Sequence, residues 1–404
     1  MAPIDDLAQR LEVIAEVTAG LAADSAARDA EHKPPTEQLT RLLLAGAGAL
    51  RVPVEYGGAD ASVTTLADVL IDIAAGDSNL AQVFRGHLGL TEILRFAAPG
   101  TARDTLLRAA ANGSFFGPAG AELSTPNLTA LATSLTRVDG EYRLSGRKYY
   151  TTGSLYADWL NVLVVEDEEF LSVIVPRHSA GITIEDDWDG FGQRLTASGT
   201  AVFDSVRVDP DFILRHHDPL ANDYMEAFYQ FVLSAVQAGI VRAAADDLAA
   251  LVRGRTRSYP LAPTPDPTAD PQVMQTVGEV HSKAYTARAN VLLVARALDE
   301  FRADPSPRRA ERALLDSAAT QVANTEILGA ATWQLFNAGS ASALKSELGL
   351  DRHWRNGRTV SSHNPAIYKA ALIGEHAVHG NPPRSFLNSV AEARARARDG
   401  EAGE

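Results

Sequence analysis

Apolar residues recur at every third or fourth position through about the first hundred residues of the chain, which is the spacing of helices with one buried face. The pattern holds over residues 7–21, 39–50, 63–73 and 80–96. Pairs of proline or glycine residues interrupt it between these stretches. We therefore predict an N-terminal helical domain over residues 1–112.

The pattern changes near Ser114, where short runs of β-branched and aromatic residues replace the helical spacing. These runs cover residues 130–138, 142–144, 159–165, 170–175, 181–184 and 200–208. Asp139-Gly140 separates the first two, and Asp-Gly is a strong signal for a two-residue hairpin turn. The pattern predicts a middle antiparallel β domain over residues 113–215.

Helical spacing returns after Asp218, over residues 224–251, 271–301, 307–336 and 364–378. The proline-rich stretch 255–271 cannot continue a helix, so it is predicted to be a surface excursion. We predict a C-terminal four-helix bundle over residues 216–384 and a charged tail over 385–404, mobile from Ala391 onward. The fold class is α+β, with ligands in the seam between its layers.

Composition limits the function. The 404 residues are 46% hydrophobic, which is ample for a large core, and contain no cysteine, which excludes disulfides, thiolate metal sites and cysteine nucleophiles. The formal net charge of −14 disfavours non-specific nucleic-acid binding. No apolar run approaches the roughly 20 residues that span a membrane, and the acidic amino terminus lacks a secretory signal. We expect a cytoplasmic protein without nucleic-acid or membrane partners.

Several common cofactor-binding and catalytic motifs are incomplete or absent in the sequence. Two G-x-G stretches, at Gly46 and Gly190, resemble dinucleotide-binding loops, but Arg51 and Leu195 occupy their third glycine positions. No histidines or carboxylates have the spacing of metal ligands, so no metal site is predicted. No G-x-S-x-G motif indicates a serine hydrolase.

Residues 351–369 concentrate positive charge in this acidic chain: Arg352, His353, Arg355, Arg358, His363 and Lys369. Arginines on successive helical turns can bind phosphate or carboxylate, and the His-Asn-Pro that follows ends the helix. The segment predicts an anion site, and the alternative is a solvated basic helix face.

Three segments carry a family resemblance. Residues 51–58 are similar to the turn after the second helix in acyl-CoA dehydrogenases, residues 146–153 to the strand that lies against the flavin ring, and residues 335–340 to the glycine turn before the last catalytic segment. With the helical, β and helical order, the chain resembles the acyl-CoA dehydrogenase fold. That resemblance implies a flavin between the β domain and the C-terminal helices.

Two departures bear on the chemistry. Acyl-CoA dehydrogenases carry a glutamate base in the region that corresponds to residues 359–365, and no carboxylate stands there in this chain. Glu375 lies a helix further on, where we interpret it as exposed or paired. Their Thr-Glu-Pro-Gly loop is degraded here over residues 117–124, and Pro118 and Ala119 replace the amide of sulfur-oxidising relatives, which puts a thiophene-like substrate in doubt.

The chain is more similar to the flavin-dependent monooxygenases of this fold, the dibenzothiophene and alkyl-sulfone type, around His87, over residues 187–199 and over residues 355–365. The resemblance implies reduced FMN, supplied by a separate NAD(P)H:flavin reductase, with FAD as an alternative. A C4a-hydroperoxide would then transfer one oxygen atom to sulfur, nitrogen or aromatic carbon of a small-molecule substrate. It also implies a homo-oligomer, tetramer or dimer. The alternatives are an FAD-dependent acyl-CoA dehydrogenase and a non-catalytic member of the fold.

The resemblance assigns catalytic roles to His87, Thr152 and His363. Thr152 would bind the flavin near N5, or simply be a good strand former. His363 would donate to flavin or peroxide oxygens, or bind carbonyl groups at its helix end. His87 would be a donor in the pocket, or a hydrogen-bonded core histidine.

The predicted cofactor-binding residues are Tyr150, Thr151, Thr152, Gly153, Trp188, Arg255, Arg257 and Arg358. Tyr150 and Trp188 would line the flavin and substrate, or fill the core. Arg255 and Arg257 resemble residues that bind the flavin phosphate, within one subunit or from a neighbouring one. Their alternative is a pair of solvated surface arginines.

Overall fold

The computed structural model describes residues 6–123, 131–166 and 169–401, with side chains as far as residue 394. Its N-terminal part is helical: α1 (Leu7–Ala19), α2 (Ala22–Glu31), α3 (Thr36–Leu44), α4 (Val63–Gly76), α5 (Ser78–Phe96) and α6 (Thr101–Ala111). The helix predicted over residues 39–50 ends at Leu44, and Gly46 follows in the left-handed conformation at φ 87°. The periodicity did not reveal α2, because its buried residues are polar or charged: Ser25, Arg28 and Asp29.

The middle part is built from short strands: β1 (Phe116–Ala119), β2 (Ser134–Val138), β3 (Glu141–Lys148), β4 (Trp159–Glu166), β5 (Glu169–Pro176), β6 (Ile182–Glu185), β7 (Thr200–Val208) and β8 (Ile213–Arg215). They form two sheets, in the orders β1-β4-β5-β8 and β2-β3-β7-β6. The predicted hairpin is confirmed, since Val138 pairs with Glu141 and both turn residues have positive φ. Residue 130, where the first strand was predicted to start, lies outside the described residues.

One strand pair corrects the antiparallel prediction. Strands β1 and β4 pair in parallel, with Phe116 opposite Trp159. The chain leaves this sheet after β1, builds β2 and β3 of the other sheet, and returns in the same direction. The periodicity could not show this, because a short apolar run carries no information on strand direction.

The C-terminal part is helical again: α7 (Pro219–Arg253), α8 (Pro271–Ala303), α9 (Pro307–Gly339), α10 (Asp351–Ser361), α11 (Ala366–His379) and α12 (Phe386–Glu401). The three long helices pack against one another, and α10 and α11 pack on α9. Each long helix begins with proline after an aspartate or serine, a sequence that favours a helix start. The described elements change type between residues 111 and 116 and between 215 and 219, and the division into domains at these points stays a prediction.

The predicted charged tail contains α12. Asp223 on α7 accepts hydrogen bonds from Ser385 N and from the side chain of Asn388, both at 2.7 Å. These contacts anchor the start of α12 on α7, and the mobility of the residues beyond Ala391 stays a prediction. None of the helices in the described part of the chain is long and apolar enough to cross a membrane.

Helix α5 lies in the seam between the β strands and the C-terminal bundle. A Cβ on Gly86 would lie 2.3 Å from Pro118 Cδ, and a Cβ on Gly89 would lie 2.2 Å from the ring of Tyr229. Both approaches require glycine, so α5 is in close contact with strand β1 on one side and α7 on the other. Buried Glu92 fixes its other end, since it binds Arg51 at 2.6 Å and Tyr224 at 2.9 Å.

Candidate functional site

Residues 150–153 leave β3 and turn against residues 196–199. The turn needs left-handed backbone at Tyr150, with φ 56°, and at Gly153, with φ 82°. Thr151 binds the carbonyl oxygen of Gly199 through its amide at 3.0 Å and its hydroxyl at 2.9 Å. The predicted residues Tyr150, Thr151, Thr152 and Gly153 therefore form one fixed strand end.

A chain of three hydroxyl groups begins at Thr152, which is 9% exposed. Its Oγ1 lies 2.8 Å from Ser198 Oγ, which lies 2.8 Å from Thr196 Oγ1. Thr196 donates to the carbonyl oxygen of Gln193 at 2.8 Å, and a carbonyl only accepts. The proton of Ser198 is then directed to Thr196, and that of Thr152 to Ser198. This order leaves Thr152 Oγ1 with its lone pairs free, so that it can accept a hydrogen bond from a ligand.

Trp188 lies beside this strand end. Its ring meets that of Tyr150 edge to face, with the centroids 6.1 Å apart, and its Nε1 donates to Gln193 O at 2.9 Å. Gln193 is clamped by Asn356 of α10, whose Oδ1 accepts from Gln193 N at 2.7 Å, and by Ser78 of α5, whose Oγ donates to Gln193 Oε1 at 3.0 Å. The structure thus brings Trp188 together with the predicted strand-end residues.

Glu122 and Lys148, which the sequence analysis passed over, anchor the first loop of the β domain. Lys148 Nζ lies 2.7 Å from Glu122 Oε1, and both side chains are buried. Glu122 also accepts from the amides of Ala132 and Thr133, at 2.7 and 3.1 Å. Burial acts to raise the pKa of Glu122, but these partners hold it below its ordinary value. Ser124, the last residue of the degraded loop, lies outside the described residues.

His87 is fully buried in α5. Its Nε2 lies 2.8 Å from Gly48 O, and its Nδ1 accepts from Phe116 N at 3.3 Å. The ring also stacks on Phe115, with centroids 5.1 Å apart. Burial lowers the pKa of His87 to about 4, so the imidazole is neutral at physiological pH. Both ring nitrogens are used by the backbone, which supports the core-histidine alternative over a donor role.

His363 follows α10 and remains exposed. Although the residue is exposed as a whole, partial desolvation by the protein around its imidazole, and then the positive charge of Arg85, lower the pKa of the ring. The neighbouring Asn364 is held by Gln230 of α7, with Nδ2 3.1 Å from Gln230 Oε1. A neutral His363 has one N–H to donate and one lone pair.

Most of the positive segment is paired with carboxylates of the chain, so the predicted anion site stays a prediction that depends on the remaining cations. Arg352 and His353 both lie 2.7 Å from Asp247 Oδ2. Arg355 binds Asp29 at 2.7 Å, and Lys369 binds Glu226 at 2.8 Å. These carboxylates come from distant parts of the sequence, so the local concentration of arginine did not reveal them. Arg358 and His363 have no ion-pair partner among the described residues.

Arg255 and Arg257 lie elsewhere in the chain. Arg255 donates to the carbonyl oxygens of Ala338 and Arg257. The side chain of Arg257 is exposed. Within the described residues, neither arginine makes a hydrogen bond or ion pair with residues 150–153 or Trp188, so their binding to a flavin phosphate stays a prediction.

Arg85 was not among the site residues predicted from the sequence. It lies on α5 with its guanidinium 4.5 Å from the ring centroid of Tyr229, and its charge acts on His363. A signal was present, because arginine is rarely found in a mostly buried helix, and this one lies between Phe84 and Gly86.

Three domain families match the chain in order. They are Acyl-CoA dehydrogenase, N-terminal domain over residues 6–114, middle domain over residues 122–206 and C-terminal domain over residues 231–366. Together they cover most of the chain, which is the evidence for its family.

Individual relatives agree with these matches. Dibenzothiophene monooxygenase of Rhodococcus erythropolis is 29% identical over 354 residues, 83% of this chain and 85% of that protein. A probable FMNH2-dependent monooxygenase of Pseudomonas putida is 27% identical, over 95% of this chain and 98% of that protein. The FMN-bound dibenzothiophene monooxygenase of Paenibacillus sp. A11-2 is 25% identical, with a TM-score of 0.88 over 94% of this chain and 99% of that one. The protein therefore belongs to the acyl-CoA dehydrogenase family, and within it the chain is similar to the flavin-dependent monooxygenases.

Proposed function

We propose that this protein is the oxygenase component of a two-component flavin monooxygenase. It uses reduced FMN, which a separate NAD(P)H:flavin reductase supplies, together with O2. One oxygen atom enters a small organic substrate at sulfur, nitrogen or aromatic carbon, and the other leaves as water with the two electrons from the flavin. The FMN of the structurally similar dibenzothiophene monooxygenase supports this choice of cofactor.

One observation carries the proposal: the turn between α10 and α11 presents the imidazole of His363 and no carboxylate. Removal of a proton next to a thioester needs a general base at the reacting carbon, and the acyl-CoA dehydrogenases use a carboxylate for it. Glu375 is exposed on α11 and accepts from Asn381 at 2.8 Å. Glu226 is bound to Lys369. An imidazole that stays neutral suits oxygen transfer, in which a developing negative oxygen needs a donor.

The residues of this chain fit reduced FMN. The cofactor has a flat ring with apolar faces, an N–H at its N5 edge and a phosphate. Tyr150, 53% exposed, and the partly exposed Trp188 offer an aromatic wall. Thr152 offers an acceptor for the N–H, because its own proton is directed to Ser198. The exposed cations Arg257 and Arg358 are available to a phosphate.

In the proposed reaction the residues of this chain position the reacting groups. Reduced FMN, when bound, supplies the electrons that activate O2. Thr152 holds the proton at the N5 edge in place by accepting from it, and His363 donates one N–H toward the oxygen that becomes negative. The clamp on Gln193 keeps the aromatic wall fixed, so the site is preorganised.

We also propose that the protein is a homo-oligomer, tetramer or dimer. Large apolar side chains are exposed on the outer faces of the C-terminal helices, on α8, α9 and α11: Tyr285, Leu293, Trp333, Ile367, Tyr368 and Val378. Exposed apolar surface of this kind is typical of contacts between subunits. An assembly could bring Arg255 and Arg257 of one subunit to the flavin of another.

The test is anaerobic titration of the protein with reduced FMN, followed by rapid mixing with oxygenated buffer while the flavin absorbance is recorded. We expect saturable binding and a transient absorbance that differs from both reduced and oxidised FMN. Simple reoxidation, together with bleaching of bound flavin by an acyl-CoA, would favour the dehydrogenase alternative. Absence of flavin binding by the folded protein would favour the non-catalytic alternative.

A further inference from the structure

Arg85 is a partly buried cation that has no ion-pair partner in the part of the chain that the structure describes. Its Nε donates to the backbone oxygen of Tyr229 at 3.3 Å, and its guanidinium lies over the Tyr229 ring. Its two terminal nitrogens have no hydrogen-bond partner among the described residues, and neither is completely enclosed. The hydrogen-bonding edge of the guanidinium therefore faces accessible space, while its flat face is covered.

The surroundings of Arg85 do not neutralise it. Glu226 acts on it electrostatically but is too far away for an ion pair, and it already binds Lys369 at 2.8 Å. Burial lowers the pKa of Arg85, yet the group stays charged at neutral pH. Keeping a desolvated charge unpaired costs free energy, and a bound anion would recover that cost.

The position of Arg85 relates it to the proposed reaction. It lies on α5, the helix that contacts strand β1 through Gly86 and α7 through Gly89. Its positive charge lowers the pKa of His363, which lies in the turn between α10 and α11. The residues proposed for the flavin ring, 150–153 and Trp188, belong to the β domain instead. Arg85 therefore belongs with His363 and α7 to the helical side of the proposed site, and residues 150–153 and Trp188 form the side contributed by the β strands.

We propose that Arg85 binds the acid group of the substrate, so that the substrate is a small organic anion with a carboxylate, sulfinate or sulfonate. This inference rests on the proposed function, because it concerns the molecule that is oxygenated. The free fork of the guanidinium matches two oxygens of such a group. The rest of the substrate then extends toward His363 and the flavin site.

The experiment measures binding of matched acid and neutral probes by isothermal titration calorimetry, with and without bound oxidised FMN. The pairs are benzoate with benzamide, methanesulfinate with dimethyl sulfoxide, and benzenesulfonate with benzenesulfonamide. The proteins are the wild type, Arg85→Gln, Arg85→Lys and Arg288→Gln. Arg288 is a control, because it is a half-exposed arginine of α8 that pairs with Asp68.

We expect at least one acid to bind the wild type about tenfold or more tightly than its neutral partner. Arg85→Gln should remove that preference without changing FMN affinity, and Arg288→Gln should keep it. Arg85→Lys retains the charge without the fork, so its preference should fall by roughly three- to tenfold. This variant also decides the question if Arg85→Gln does not fold, since unchanged acid affinity in Arg85→Lys contradicts the proposal.

Other outcomes overturn the inference. They are the absence of any acid preference in the wild type, an acid preference that survives Arg85→Gln, and loss of FMN affinity in Arg85→Gln with acid binding intact. The last result would assign the cation to the flavin. Failure of the wild type to bind FMN would instead contradict the proposed function, and acid binding to the FMN-free protein would still test Arg85.

Discussion

The hydroxyl of Thr152 can serve a ligand only in the way its hydrogen-bond chain allows. Three hydroxyl groups lead from Thr152 to the carbonyl of Gln193, and their protons are directed along that path. Thr152 is thereby an acceptor, which suits the N–H of reduced flavin better than the unprotonated N5 of oxidised flavin. The residue types alone predicted a hydroxyl at this place, but its direction depends on Ser198 and Thr196.

Replacement of Thr152 by valine keeps the shape of the side chain and removes the acceptor. We expect Thr152→Val to raise the fraction of reduced flavin that ends as hydrogen peroxide by about tenfold, while FMN affinity changes less than about threefold. Thr152→Ser, which retains the oxygen, should behave like the wild type. Peroxide yield and FMN titration measure the two effects. Equal peroxide yields in all three proteins would contradict the role proposed for Thr152.

His363→Ala should likewise raise peroxide release more than it weakens FMN binding, because a donor to oxygen is lost while the aromatic wall stays. His363→Gln keeps an N–H donor and is the matched control. The same peroxide assay tests this expectation, with the initial rates of peroxide release of the wild type and both variants compared at saturating reduced FMN. Wild-type coupling in His363→Ala would contradict this assignment.

We predict that the buried imidazole of His87 makes the free energy of unfolding depend on pH. Its pKa is about 4 in the folded protein and about 6.5 in an unfolded chain. Below pH 6.5 the unfolded chain takes up a proton that folded His87 does not, so the free energy of unfolding falls as the pH falls, by up to about 3 kcal/mol near pH 4. Above pH 6.5 this contribution is complete and constant.

Denaturant unfolding at pH 6.5 and 4.5 measures this effect. His87→Gln should lose less stability than the wild type between the two pH values, although it is less stable at pH 6.5, since two backbone contacts of the imidazole change. The exposed His281 supplies a control, because His281→Gln should keep the wild-type dependence. Parallel pH profiles of His87→Gln and the wild type would show that His87 is not responsible.

At the scale of elements, the segment 187–198 has no regular secondary structure, yet it joins three parts of the fold. Gln193 contacts Asn356 of α10 and Ser78 of α5, and Thr196 O accepts from Gly153 N at 2.8 Å. The sequence indicated the strands and helices around it through their periodicity. It could not place this segment, because its partners are contributed by elements far apart in the chain.

Gly192 allows this segment to approach α10. A Cβ there would lie 2.1 Å from Arg355 O, a backbone atom that cannot move alone. Gly192→Ala should therefore shift the Trp188 wall, weaken FMN binding by about tenfold or more, and destabilise the fold by about 1–3 kcal/mol. FMN titration and thermal unfolding measure both. Gly278→Ala is the control, since nothing lies within 4 Å of its Cβ, and equal FMN affinity in both variants would contradict the expectation.

At the scale of the whole molecule, ion pairs between distant segments decide which charges can serve a ligand. Asp29 and Asp247 neutralise arginines of α10, and Glu226 neutralises Lys369. Burial acts to raise the pKa of Asp247, but His353 and Arg352 lower it to about 2. Arg85 of α5, in the seam, has no ion-pair partner among the residues that the structure describes.

Assembly is the other property at this scale. Trp333 on α9 is 73% exposed, and a glutamate there would place a charge among the apolar side chains proposed for subunit contacts. We expect Trp333→Glu to reduce the molar mass measured by light scattering. Leu44→Glu, at the end of α3 in the N-terminal part, should leave it unchanged. A monomeric wild type would contradict the proposed oligomer.

The sequence by itself determined the helical, β and helical order, the hairpin at Asp139-Gly140, the starts of α8 and α9 and the absence of a carboxylate over residues 359–365. These features depend on local spacing and residue type, which act within a few positions of the chain. Only the tertiary structure decided that His87 is fully buried, that most of the basic segment is paired with carboxylates and that Arg85 has no ion-pair partner among the residues described. Burial and ion pairing depend on groups that folding brings together from distant positions, and no local pattern records them.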